Sequence, residues 1–138
     1  MYFNFLAKYN KYRLQGLQNS CMRFACSISN PDYVTPYYKN FNELKINQRV
    51  FYLYAILLYK IHRSGQPGYL YDSLVLRSHV HEVNVRVDSF TLPQHCSTKF
   101  RGNFPFTSPQ TLNEILNLLP YNENKFKREL KSILLSRL

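Results

Sequence analysis

The sequence predicts a mainly α fold, a small helical domain with a short extended or β segment around residues 80–106. Apolar residues recur at steps of three and four through most of the chain, and only beyond His79 does the period shift toward two. Proline and glycine stand between the periodic stretches, where they interrupt helices. The 138 residues, 45% of them apolar, supply one modest core and are too few for a multi-domain enzyme. The expected organisation is a helical N-terminal half, 1–66, and a second half, 67–138, holding a short helix, the extended segment and two C-terminal helices.

Residues 5 to 29 carry a helical stripe at Leu6, Leu14, Leu17, Cys21, Phe24 and Ile28, decorated by Lys8, Lys11, Arg13 and Arg23 with no acid before Asp32. That helix should stop at Asn30-Pro31, because the proline ring disfavours helical geometry in the residue before it. Pro36 opens a short turn of helix through Tyr37 and Tyr38. From Ile46 to Arg63, Ile46, Val50, Leu53, Tyr54, Leu57 and Ile61 mark one face and Phe51, Tyr52, Ile56 and Tyr59 make the other apolar, so this helix should be covered on most sides. Ser64 to Gly68 breaks the chain, and a short helix from Tyr69 to about Ser78 follows. Val83, Val85 and Val87 then alternate with Asn84, Arg86 and Asp88 as in a strand. Ser108-Pro109 offers a capping hydroxyl followed by proline, a helix start, with Leu112, Ile115, Leu116 and Leu119 buried and Pro120 ending the helix. The last helix begins near Asn124, with Phe126, Leu130, Ile133 and Leu134 inward and Lys125, Lys127, Arg128 and Lys131 largely outward.

Cys21, Cys26 and Cys96 are odd in number and irregular in spacing, which fits a reducing compartment rather than a secreted disulfide framework. The N-terminus lacks the apolar core of a signal peptide, and Val50 to Tyr59 is short of the roughly 20 apolar residues that span a bilayer. The expectation is an intracellular protein, cytoplasmic or nuclear, without a transmembrane segment or membrane partner.

The eight acids, Asp32, Glu43, Asp72, Glu82, Asp88, Glu114, Glu123 and Glu129, include no Asp-Asp or Asp-x-Asp pair of the kind that holds two divalent metals about 4 Å apart. His79-x-His81 and His95-Cys96 carry zinc-ligand types without a zinc-finger spacing and read as polar loop residues. Cys21 and Cys26, five apart, do not share a helix face and read as small buried hydrophobes. No cofactor, metal or small-molecule substrate is expected. Against 18 Lys and Arg there are 8 Asp and Glu, a net charge of +10, which points to an anionic partner. Lys8, Lys11 and Arg13 interleave with Tyr9 and Tyr12, a pattern that suits phosphate contact beside stacking rings.

Several short segments occur in a telling order. Leu17-Gln18-Asn19 with Arg23 is followed by Leu44-Lys45-Ile46 with Arg49, then Pro67-Gly68-Tyr69-Leu70. His81 and Asn84-Val85-Arg86 come next, then Leu92-Pro93 with His95 and Thr98, Leu116-Asn117-Leu118-Leu119-Pro120, and Phe126-Lys127-Arg128-Glu129-Leu130-Lys131. This order resembles the region after the polymerase domain in non-LTR retrotransposon (LINE, jockey-like) reverse transcriptases, from about Leu14 to Leu138. Leu116 stands where the family has Trp, and Val85 where it has Thr.

The resemblance implies a non-catalytic C-terminal fragment, since the family's catalytic Asp pair lies upstream of the matched region, and it implies that Met1 is internal to a longer reading frame. It also implies contact with the backbone of template and primer, RNA or RNA–DNA. The candidate contacts are Lys8, Lys11, Arg13 and Arg23 in the first helix, Arg86, and Lys125, Lys127, Arg128 and Lys131 in the last. The competing expectation is a structural or interaction segment whose apolar helix at 46–63 docks on a polymerase domain.

Overall fold

The computed structural model describes residues 8–29, 33–74, 89–92 and 104–138. Among them the chain is mainly helical, as expected: α1 (Lys8–Cys26), α2 (Thr35–Asn40), α3 (Ile46–Ser64), α4 (Gly68–Tyr71), α5 (Phe104–Glu114), a 3-10 turn (Leu116–Leu118) and α6 (Glu123–Ser136). Most of the expected extended segment lies outside the described residues. Where it is described, Phe90 is a lone bridge residue and 104–106 already belong to α5, which corrects that end of the segment.

Local chemistry explains the helix ends. Pro36 sits in the first turn of α2, where its missing N–H costs no helical hydrogen bond. α1 ends at Cys26 rather than at Asn30: Ser27 turns to φ 51°, and Ile28 N–H donates to Arg23 O at 3.0 Å while Ser27 N–H donates to Phe24 O at 3.3 Å. That pairing satisfies the last carbonyls before the proline is reached. Asn42, at φ 54°, closes α2 in the same way, and Gly65, at φ 67°, closes α3 with its N–H on Ile61 O.

The chain divides into two units, one drawing on Tyr2–Leu53 and Glu123–Leu138, the other on Tyr54–Asn122. In the first, Val34, Tyr38, Leu44, Phe126, Leu130 and Leu134 are buried. A polar network joins its elements. Gln15 and Gln18, one helical turn apart on α1, both present side-chain oxygens to the Ile46 N–H at 3.1 Å, and Gln18 Nε2 donates to Leu44 O at 2.9 Å. The Ile46 N–H is one of the four donors that a helix start leaves without an internal partner, so α1 caps α3. Tyr38 Oη donates to Asn19 Oδ1 at 2.9 Å and receives Gln15 Nε2 at 3.3 Å, and its burial pushes the phenol pKa up, with the Gln15 bond pulling the other way. On α3, Gln48 Nε2 donates to Leu134 O of α6 at 2.7 Å.

This network sets which side of α1 faces the rest of the unit. The apolar stripe faces outward there, with Leu17 63% and Phe24 90% exposed and Leu14 and Cys21 exposed as well. The glutamine pair satisfies both the Leu44 carbonyl and a helix-start N–H, groups that would cost about 1–3 kcal/mol each if left unpaired, and so holds the polar side of α1 against the start of α3.

In the second unit Ala55, Leu58, Tyr59 and Ile61 of α3 are buried, as are Leu112, Ile115, Leu118 and Leu119. Ser108 corrects another expectation. Instead of capping a helix, it lies inside α5, fully buried, and donates to Phe104 O at 2.6 Å, and Pro109 falls within the helix. With that hydroxyl proton committed, Tyr54 Oη donates to Ser108 Oγ at 2.8 Å and Thr107 Oγ1 donates to Tyr54 Oη at 2.9 Å. Tyr54 also meets Phe104 edge-on at 6.5 Å. The chain thus enters its helix before the proline because Tyr54 engages the side chains of the first turns. The Asn113 carboxamide accepts from Phe90 N–H and donates to Phe90 O, and Tyr59 Oη donates to Tyr121 O. α3 is also less covered than expected, with Leu53 59% exposed and Leu57 exposed, and Ile133 of α6 lies at the surface.

Two outcomes follow. Gln18→Ala lowers stability by about 1–2 kcal/mol in urea unfolding, whereas Leu17→Ala, its apolar neighbour, changes it by less than about 0.5 kcal/mol. His62, edge-on to Phe90 at 5.7 Å, has its pKa lowered from 6.5, first by burial and then by Arg63. The unfolded chain therefore takes up this proton more readily than the folded one. The His62 contribution to stability is present above pH 6.5 and is lost as pH falls through the depressed folded value. Melting curves across that range show the loss, and His62→Gln flattens it.

Candidate nucleic-acid interface

Tertiary grouping concentrates the charge. Segments 2–53 and 123–138 hold 12 Lys and Arg against 4 Asp and Glu, net +8, and segment 54–122 holds 6 against 4, net +2. The two basic helices at opposite ends of the sequence, α1 and α6, thus belong to the same unit.

On α1, Arg13 is exposed and its guanidinium lies over the Tyr9 ring at 5.7 Å, which holds the charge outward beside an exposed aromatic face. Tyr12 is exposed too, while Lys11 and Arg23 are half-buried. Lys8 begins the helix, and its side chain lies outside the described set. On α6, Lys125 and Arg128 are exposed and Lys131 is half-buried. Lys127 hydrogen-bonds Glu123 one turn earlier, and that bond is the main reason its pKa is raised. Arg128 Nε stands 3.8 Å from Glu129 Oε1, a solvent-exposed pairing that adds little. Arg86 lies outside the described residues, as do His79, His81, His95 and Cys96. Cys21 is exposed, which corrects its reading as a buried hydrophobe.

Reading the sequence missed Lys39 and Arg49. Both are exposed in the same unit, on α2 and α3, and neither sits in a run of charges that would single it out. Arg49 is 3.9 Å from Glu43, and both side chains are open to solvent. Lys45 is committed to the fold, donating to Thr35 Oγ1 at 2.8 Å near the Tyr38 ring.

Comparison with protein-family models, curated proteins and solved structures finds no match to this chain. No helix among the described residues is long and apolar enough to cross a membrane.

Arg13→Ala weakens binding to a polyanion more than Lys127→Ala does, because the Lys127 ammonium already has a carboxylate partner. The salt concentration that elutes each variant from heparin checks the order.

Proposed function

We propose that this chain is a non-catalytic, post-polymerase segment of a LINE-type reverse transcriptase that binds the backbone of RNA or an RNA–DNA hybrid. The observation that carries the proposal is the net +8 gathered into the unit that contains both α1 and α6. A field of that sign draws phosphates without reading bases, and the exposed Tyr9 and Tyr12 rings offer stacking faces to unpaired bases. Arg13, Lys125 and Arg128 are the leading contacts, with Lys8, Lys11, Arg23, Lys127 and Lys131 adding to the field and Arg86 the one candidate from the other segment.

Two separated pieces of the resemblance also support the reading. Gln18-Asn19 and Leu44 to Ile46 meet in a single hydrogen-bonded network. Residues that an order-based likeness treats as independent landmarks thereby have a shared structural role. A second reading, a segment that docks on a polymerase domain, draws support from the exposure of Leu53 and Leu57 on α3.

The test is fluorescence anisotropy with labelled single-stranded RNA and RNA–DNA hybrid. If about five phosphates are neutralised, single-stranded RNA affinity falls about 100-fold between about 50 and about 200 mM salt. Affinity unchanged over that range overturns the electrostatic mechanism.

A further inference from the structure

We infer that the outward face of α1 is a docking seam for an acidic amphipathic α-helix of another protein, a function beyond nucleic-acid binding. Leu14, Leu17, Cys21 and Phe24 follow one another at steps of three, four and three, the spacing that keeps one narrow apolar line along a helix and lets a second helix pack knobs into holes. All four are exposed. Their orientation is fixed by hydrogen bonds: Gln15 and Asn19 on the far side of α1 and Gln18 at the edge of the seam are bonded to Ile46, Tyr38 and Leu44, so the helix cannot roll the seam inward without breaking that network. Ser20 and Ala25, which border the seam, are small and exposed and leave room for a partner backbone.

Charge selects the occupant. In a paired helix the positions bordering the apolar line meet the partner's borders, and here Lys11 and Arg13 occupy them at the first turns. Residues 8–26 contain no acid, so a second copy of α1, parallel or antiparallel, brings only like charge. A helix bordered by Glu meets the Arg13 guanidinium with the opposite sign. The narrowness of the line also favours a helix over a lipid surface, which takes a wide apolar face.

The probe is a synthetic peptide of four heptads with Leu at the seam positions and Glu at the bordering ones, whose own like charges oppose self-pairing. A control peptide carries Lys at those borders. Labelled peptide is titrated with the full chain. The Glu-bordered peptide should bind and the Lys-bordered one should bind at least about tenfold more weakly. The double variant Leu17→Ser/Phe24→Ser, which removes two exposed apolar side chains without changing charge, should weaken peptide binding about 100-fold. Its thermal melt and RNA affinity should stay near those of the parent, so failure here is distinguishable from failure of nucleic-acid binding.

Equal binding of the two peptides, or binding indifferent to the double variant, overturns the proposal. So does self-association in sedimentation that the double variant abolishes, which assigns the seam to a second copy. Seam-dependent binding to vesicles containing anionic phosphatidylserine that displaces the peptide assigns it to a membrane and likewise overturns the proposal.

Discussion

The first unit depends on how the start of α3 is satisfied. A helix that begins inside a packed structure leaves donors without partners, and α3 supplies no capping side chain of its own, since Lys45 precedes it. Two glutamines from α1 meet that need. Because Gln15 and Gln18 lie one turn apart, they reach the same N–H, and because Gln18 also carries an amide nitrogen, it takes the Leu44 carbonyl as well. Tyr38 completes the set by bonding Asn19, so α2 is held to the same face. Glutamine is suited to this task, since its carboxamide offers a donor and an acceptor on one flexible stem.

The same constraint produces the surface. With its polar side committed inward, α1 presents Leu14, Leu17, Cys21 and Phe24 to solvent, together with Arg13 and the two tyrosines near its start. One helix thus offers both an apolar line and a basic, aromatic-rich end. α6 contributes exposed cations to the same unit and pins itself by Phe126, Leu130 and Leu134. The charge that looks weighted toward the N-terminal half along the sequence is better described as belonging to the unit that joins the two ends of the chain. The proposed backbone binding and helix docking share Arg13, but only docking draws on Leu17 and Phe24, so substitution of those two side chains separates the proposals.

The proposed relation to LINE-type reverse transcriptases rests on the order of short motifs, and the network gives some of those motifs a physical role. Gln18 and Asn19 lie far from Leu44 and Ile46 in sequence, yet one hydrogen-bonded network holds both segments. Leu116, where the family has Trp, lies half-buried in the 3-10 turn that follows α5, a position where a smaller apolar side chain fits.

The sequence by itself determined that the chain is helical, and it placed α2, α3 and α6 closely, because proline, glycine and the 3.6-residue period act locally. It also determined the excess of positive charge and the identity of the basic residues. Tertiary structure decided which faces are inside. The stripe of α1 shows that the helix is two-faced, but which face points inward is set by hydrogen bonds to the start of α3, between residues some thirty positions apart. Ser108-Pro109 is a sound local signal for a helix start, but Tyr54, more than fifty residues away, draws Ser108 into the helix interior. The gathering of charge was likewise invisible along the chain, since only folding brings 123–138 together with the first 53 residues. Local rules read dihedral preference and periodicity, whereas burial and field depend on which distant groups must be satisfied.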